Sequence, residues 1–94
     1  MKNFIVKLEI TSNFSEHKLI RWNVFDTVSE KNIWIDEMKK EEYIKNEGLS
    51  VNAYMHKYYN FIEYTPYEIL DKDMSEFEGM KLKDFLEIIK NILK

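Results

Sequence analysis

The chain has 94 residues, of which 45% are apolar and 33% charged, and a formal net charge of −3. That length makes one domain, 1–94, and those proportions are globular rather than disordered. The absence of cysteine excludes disulfides and thiolate zinc sites, and an acidic chain without a basic stripe argues against direct nucleic-acid binding.

Lys7 interrupts the apolar start before a signal-peptide core forms, and no apolar run approaches the length of a bilayer. The expectation is a cytoplasmic protein with no membrane association. Lys, Asn, Ile and Tyr are abundant while Ala, Gly, Pro and Arg are scarce. This bias follows A/T-rich codons and points to a low-GC bacterium, its phages or its mobile elements; a phage protein would work in the host cytoplasm. Arg21 as sole arginine therefore says little about phosphate binding.

Phe4, Val6, Leu8 and Ile10 alternate with Ile5, Lys7 and Glu9, the period of a half-buried strand. A polar turn over residues 11–18 follows. Ile20, Trp22 and Val24 then alternate with Arg21, Asn23 and Phe25. The pair reads as an antiparallel hairpin with a longer loop, and Trp22 belongs to its inward set. Two strands alone are marginal in water. Helices must cover them, and a third short strand is sought in residues 32–35, in residues 60–64 or in a partner chain.

Thr27 and Glu30 have capping-box spacing, which starts a helix near Val28, although only residues 37–46 are well patterned for one. Gly48 ends it. Ser50 is expected to cap a further helix whose face is Val51, Tyr54, Met55, Tyr58, Phe61 and Ile62. Thr65-Pro66-Tyr67-Glu68 is the clearest start signal, with Thr65 as cap, Pro66 in the first turn and Glu68 closing the box. Tyr67, Leu70, Met74 and Phe77 form one stripe if that helix continues, and Gly79 breaks it. Leu82, Phe85, Leu86, Ile89, Ile92 and Leu93 form the apolar face of a closing amphipathic helix. The fold class is α+β: an N-terminal antiparallel β-hairpin packed against three or four helices, the last of them on the hairpin's apolar face.

The strongest charge feature lies in residues 63–78, where six acids, Glu63, Glu68, Asp71, Asp73, Glu76 and Glu78, accompany one base, Lys72. Carboxylates spaced along a helix present acceptors to Lys and Arg much as a row of phosphates does, and a concentrated field speeds encounter with a basic partner. The alternative is a solvated face that only keeps the chain soluble. Tyr64 is the aromatic contact candidate beside these acids, whereas Tyr67 and Phe77 fit the core stripe.

Catalytic and metal signals are weak. Asp71, Asp73 and Ser75 take the first, third and fifth positions of a calcium-loop pattern, but Glu76 replaces its glycine and Leu82 its bidentate glutamate. His17 and His56 have no spaced partner for zinc, and no serine lies in a nucleophile motif. Two glycines preclude a glycine-rich phosphate loop. In residues 54–60 helical phase leaves Lys57 and Tyr59 outward, too little for a stacking platform on single-stranded nucleic acid. Trp34 reads as a half-buried core residue or as an outward interface anchor.

These readings converge on a small non-enzymatic protein-binding module with no cofactor and no metal. Its expected partner is a protein with a basic surface, such as a nucleic-acid-binding enzyme, engaged through Glu63, Tyr64, Glu68, Asp71, Asp73, Glu76 and Glu78. Size and composition suit a phage or mobile-element inhibitor of the anti-CRISPR, anti-defence kind, or an antitoxin. The alternatives are a self-associating homodimeric module pairing through the hairpin edge, and a small enzyme of unknown reaction.

Overall fold

The computed structural model describes residues 3–72 and 74–92. Alternation in the first quarter of the chain is realised as β1 (Phe4–Ser12) and β2 (Ser15–Phe25), paired antiparallel with Phe4 opposite Phe25 and Ile10 opposite Leu19. The polar stretch forms strand more than loop, since only Asn13 and Phe14 turn. The Ser12 and Ser15 hydroxyls accept hydrogen bonds from the Phe14 and His17 amides. No non-glycine residue there has positive φ, so the turn lacks the twist that a tight hairpin favours. The register slips beside it: from Ile10 to Ser12 on β1, the partners run from Leu19 to Ser15 on β2. A bulge of this kind absorbs the mismatch.

A third strand completes the sheet. β3 (Lys57–Tyr64) pairs antiparallel with the other side of β1, giving the order β2-β1-β3. It contains residues 60–64, whereas residues 32–35 lie in a helix. The expected helix over residues 51–62 is therefore corrected to short turns followed by a strand. Lys57-Tyr58-Tyr59-Asn60-Phe61-Ile62-Glu63-Tyr64 is rich in aromatic residues, which suit a pleated surface, and its short apolar run fits either period. The open side of β1 decides between them.

α1 (Val28–Asn46) begins where the capping signal placed it, with the Thr27 hydroxyl accepting from the Glu30 amide. Its weak patterning is genuine, for no α1 residue is fully buried. Trp34 anchors it, packing against Phe25 and edge-on against Phe61. Gly48 follows with φ 80°, as a helix end in the left-handed region requires.

α2 (Pro66–Asp71) shows the full capping box between Thr65 and Glu68. It stops at Lys72, and a single 3-10 turn, Met74–Phe77, replaces the continuous helix considered from sequence. Of the expected stripe Phe77 is buried, but Tyr67 and Leu70 are exposed and Ile69 is the buried residue of α2 instead. Gly79 then reverses the chain with φ 90° before α3 (Leu82–Ile92). The described residues hold three helices besides the 3-10 turn, the fourth having become β3.

Register splits the core between two faces. Leu8 lies opposite Arg21 and Phe61, and Ile5 opposite Val24 and Tyr64. The two apolar sets of the hairpin, Val6 with Leu8 and Trp22 with Val24, thus point to opposite sides of the sheet. α1 crosses the Val6 and Leu8 side, where both side chains are fully buried. On the other side Ile5, Ile69, Phe77 and Ile88 form the central cluster, flanked by Trp22, Val24, Tyr64, Met80, Phe85 and Ile92. α3 thus buries Phe85, Ile88 and Ile92, whereas Leu82 and Leu86 of the expected face are exposed. Leu93 lies outside the described residues.

These thin layers extend over 51 × 28 × 18 Å, with a radius of gyration of 15.2 Å. A compact chain of this length would have about 12 Å. The accessible surface of 6800 Å² likewise exceeds the roughly 5800 Å² typical of this mass. The fold therefore exposes more edge and face than a compact globule of the same length.

Candidate functional site

A three-stranded sheet has two edges, and this one treats them differently. Along β3, the Asn46 side chain accepts from the Lys57 amide at 2.9 Å and donates to the Lys57 carbonyl at 2.6 Å. Two residues further along β3, Glu42 accepts from the Tyr59 amide. Side chains of α1 thus stand in for a missing strand, which is one way to blunt an edge.

The same contacts fix the direction of every ladder bond. Backbone groups alternate sides along a strand, so with Lys57 and Tyr59 pointing outward, Tyr58, Asn60, Ile62 and Tyr64 bond to the odd residues of β1. The even residues of β1 then bond to Leu19, Arg21, Asn23 and Phe25 of β2. Ile20, Trp22 and Val24 are left with their amide and carbonyl groups directed away from the sheet. An independent contact agrees: the Val24 amide donates to its neighbour's Asn23 Oδ1 at 3.0 Å. Among the described residues, no hydrogen bond from outside the sheet engages the backbone of Ile20 or Trp22.

A cleft of about 350 Å³ runs along this open edge, lined by Ile20, Arg21, Trp22, Asn23, Trp34, Met38, Gly79 and Lys81. Each wall comes from a different helical layer. Trp34 and Met38 of α1 stand on the Arg21 and Asn23 side, while Gly79 and Lys81 stand on the Ile20 and Trp22 side. Trp22 is tied to its wall by a hydrogen bond from Nε1 to the Glu78 carbonyl at 3.1 Å. Its ring packs against Tyr64 and Phe77, with the Lys7 ammonium 5.6 Å away. Gly79 sits against this surface: a Cβ added there would lie 3.7 Å from Ile20 Cγ2 and 3.8 Å from Trp22 Cδ1.

The lining contains two cations and no carboxylate. Neither Arg21 nor Lys81 has an ion pair among the described residues. Arg21 is the least of the influences that lower Glu41. The Lys45 hydrogen bond holds its carboxyl below the ordinary range, and Tyr59 donates to it as well. Lys45 is raised in turn by Glu41 first and by the Tyr59 hydroxyl second. Burial opposes ionisation of Glu9, yet its bond from Lys18, supported by Lys7 and Asn60, brings its carboxyl below the ordinary value. Lys18 is thereby committed, and Arg21 and Lys81 are the cleft's cations with no ion pair among the described residues.

The structure sets Glu63 apart from the other acids singled out in the sequence and partners several of them within the domain. Glu63 lies on the α1 side and pairs with Lys31. Its neighbour Tyr64 points to the other side, into the rings of Trp22 and Phe77, with the Lys72 ammonium 5.0 Å over its own ring. Glu68 is spent on its capping box with Thr65. Glu76 pairs with Lys72 at 3.8 Å. Asp71 and Glu78 are exposed, and Asp73 lies outside the described residues. The calcium-like pattern includes Asp73, and among the described residues no group of acids and histidines is placed to hold a metal ion.

Other candidates also move. Tyr58 is exposed and Tyr59 half-buried, the reverse of the helical expectation, since β3 replaces the helix. His56 contacts the Ser50 carbonyl and stacks on Tyr58, while His17 is exposed on β2. No described helix is long and apolar enough to cross a membrane. Arg21, Trp22, Trp34, Met38, Gly79 and Lys81 escaped selection as a site because three separate segments bring them together.

Comparison with protein-family models, with curated proteins and with solved structures returns no match for this chain. The chain is an α+β domain whose sheet has one edge closed by its helix and one edge open in a two-walled cleft.

Proposed function

We propose that this chain is a small protein-binding module that captures an extended segment of a partner as a fourth strand along β2. The observation that carries the reading is the contrast between the two edges. Asn46 and Glu42 occupy the β3 edge, whereas Ile20 and Trp22 present unengaged backbone groups inside a walled cleft. An added strand gains main-chain hydrogen bonds from such an edge and specificity from pockets for its alternate side chains. The protein-binding class expected from composition is retained, and it includes an inhibitor or an antitoxin. The recognition surface moves from the acidic segment to the β2 edge, because Glu63, Glu68 and Glu76 are already partnered within the domain.

A display selection with random extended peptides tests this reading. Ile20→Pro removes an outward amide and no ladder bond, a position where an edge strand tolerates proline. Peptides selected on the unaltered chain should lose binding to that variant and keep binding to the Asp71→Lys, Glu78→Lys double variant. The opposite pattern would return the site to the acidic segment.

Self-association is the second reading, favoured by the same open edge. Two copies of β2 paired about a two-fold axis would bring Arg21 close to its own copy, and like charges oppose that pairing. Light scattering over a dilution series should therefore give a monomer.

A further inference from the structure

Resting on the strand-capture reading, we infer that the segment taken up along β2 is acidic, with a carboxylate seated against Arg21 on one wall of the cleft or against Lys81 on the other. The side chains of an added strand alternate between the two walls. Each wall supplies one cation and one tryptophan, Arg21 with Trp34 and Lys81 with Trp22. No acid forms an ion pair with either cation among the described residues. Two nearby carboxylates are committed, Glu41 to Lys45 and Tyr59 and Glu9 to Lys18 and Asn60, and Glu78, exposed beside Gly79, forms no ion pair with either cation among the described residues. A cationic cleft with apolar walls thus selects a strand bearing acids on one side and β-branched or aliphatic groups on the other. A basic strand is repelled, and a neutral one forms the main-chain bonds without the charge-assisted contribution. The same charges disfavour β2 of a second copy as occupant.

Three N-acetylated decapeptides of threonine alternating with glutamate, glutamine or lysine test the inference, with binding read from tryptophan fluorescence of the full chain. The glutamate peptide should bind best, and the glutamine peptide about tenfold more weakly. The lysine peptide should bind least. Arg21→Gln with Lys81→Gln should abolish the difference between the glutamate and glutamine peptides, while circular dichroism stays unchanged because both side chains are exposed. A fourth peptide, the glutamate sequence with alternate amides N-methylated, separates the two levels of argument. Equal affinity for the glutamate and glutamine peptides, with loss on methylation, would overturn the acidic preference and leave strand capture standing. Binding unaffected by methylation, or no binding by any of the four, would overturn strand capture itself. A dimer that dissociates as peptide is added would make a second copy the native occupant and overturn the inference.

Discussion

The side-chain amide of Asn46 makes both main-chain hydrogen bonds to Lys57 that a neighbouring strand would make. One α1 side chain thereby closes the β3 edge at its start, and Glu42 continues the closure at Tyr59. On the β2 edge, among the described residues, no helix side chain engages the backbone of Ile20 or Trp22 in this way.

Asn46→Ala should therefore destabilise the domain by about 1–2 kcal/mol, since two hydrogen bonds of roughly 0.5–1.5 kcal/mol each are removed and water replaces them in part. Urea denaturation measures the loss. Hydrogen exchange at the Lys57 amide should accelerate in the same variant. An unchanged urea midpoint would show that the edge contacts contribute nothing net.

The phase of α3 gives a sharper contrast. Ile88 is 0% exposed and belongs to the central cluster, whereas Leu86 is 55% exposed. Ile88→Ala should cost about 2–5 kcal/mol, because a cavity opens among Ile5, Ile69 and Phe77. Leu86→Ala should cost under about 0.5 kcal/mol. Comparable losses for the two variants would mean that α3 turns Leu86 as well as Ile88 toward the core.

Gly79 carries φ 90° at the lip of the cleft. Its surroundings leave ordinary contact distances for a methyl group, so Gly79→Ala is governed by backbone strain rather than collision. The expected cost is about 1–2 kcal/mol in a thermal or urea melt. A neutral outcome would place this turn in a conformation open to any residue.

The Glu41–Lys45 pair sets a pH window. Glu41 titrates below its ordinary value of 4.5, so its contribution is present above that pH and is lost as pH falls through the folded value. Lys45 titrates above its ordinary 10.5, so its contribution is present below that pH and is lost as pH rises through its folded value. An exposed pair at this spacing contributes only about 0.3–0.5 kcal/mol. Glu41→Gln should thus lower stability by that amount near neutrality and leave it unchanged well below pH 4.5. A gap between the two proteins that persists in acid would assign the effect to packing instead of charge.

Local signals written in consecutive residues are legible in this chain. Thr65-Pro66-Tyr67-Glu68 starts α2 with both arms of its box, Thr27 caps α1, Gly48 and Gly79 mark reversals, and period-two alternation marks β1 and β2. Each is settled within a few residues by hydrogen bonding or by φ, so tertiary context has little to change. Residues 51–62 went the other way. Their apolar spacing satisfies a helix as well as a strand, and residues 57–62 pair with the open side of β1 while residues 51–56 form turns.

What tertiary structure alone decided is which residues share a face, and the site follows from that. One fixed register, Leu8 against Arg21 and Phe61, sends Trp22 to one side of the sheet and Arg21 to the other. It also divides the acidic segment, because adjacent strand residues such as Glu63 and Tyr64 point to opposite sides and meet Lys31 and Phe77. The sequence by itself determined the α+β class, the caps and the net charge. Register and edge exposure depend on contacts between residues distant in the chain, so no window of neighbouring residues encodes the cleft.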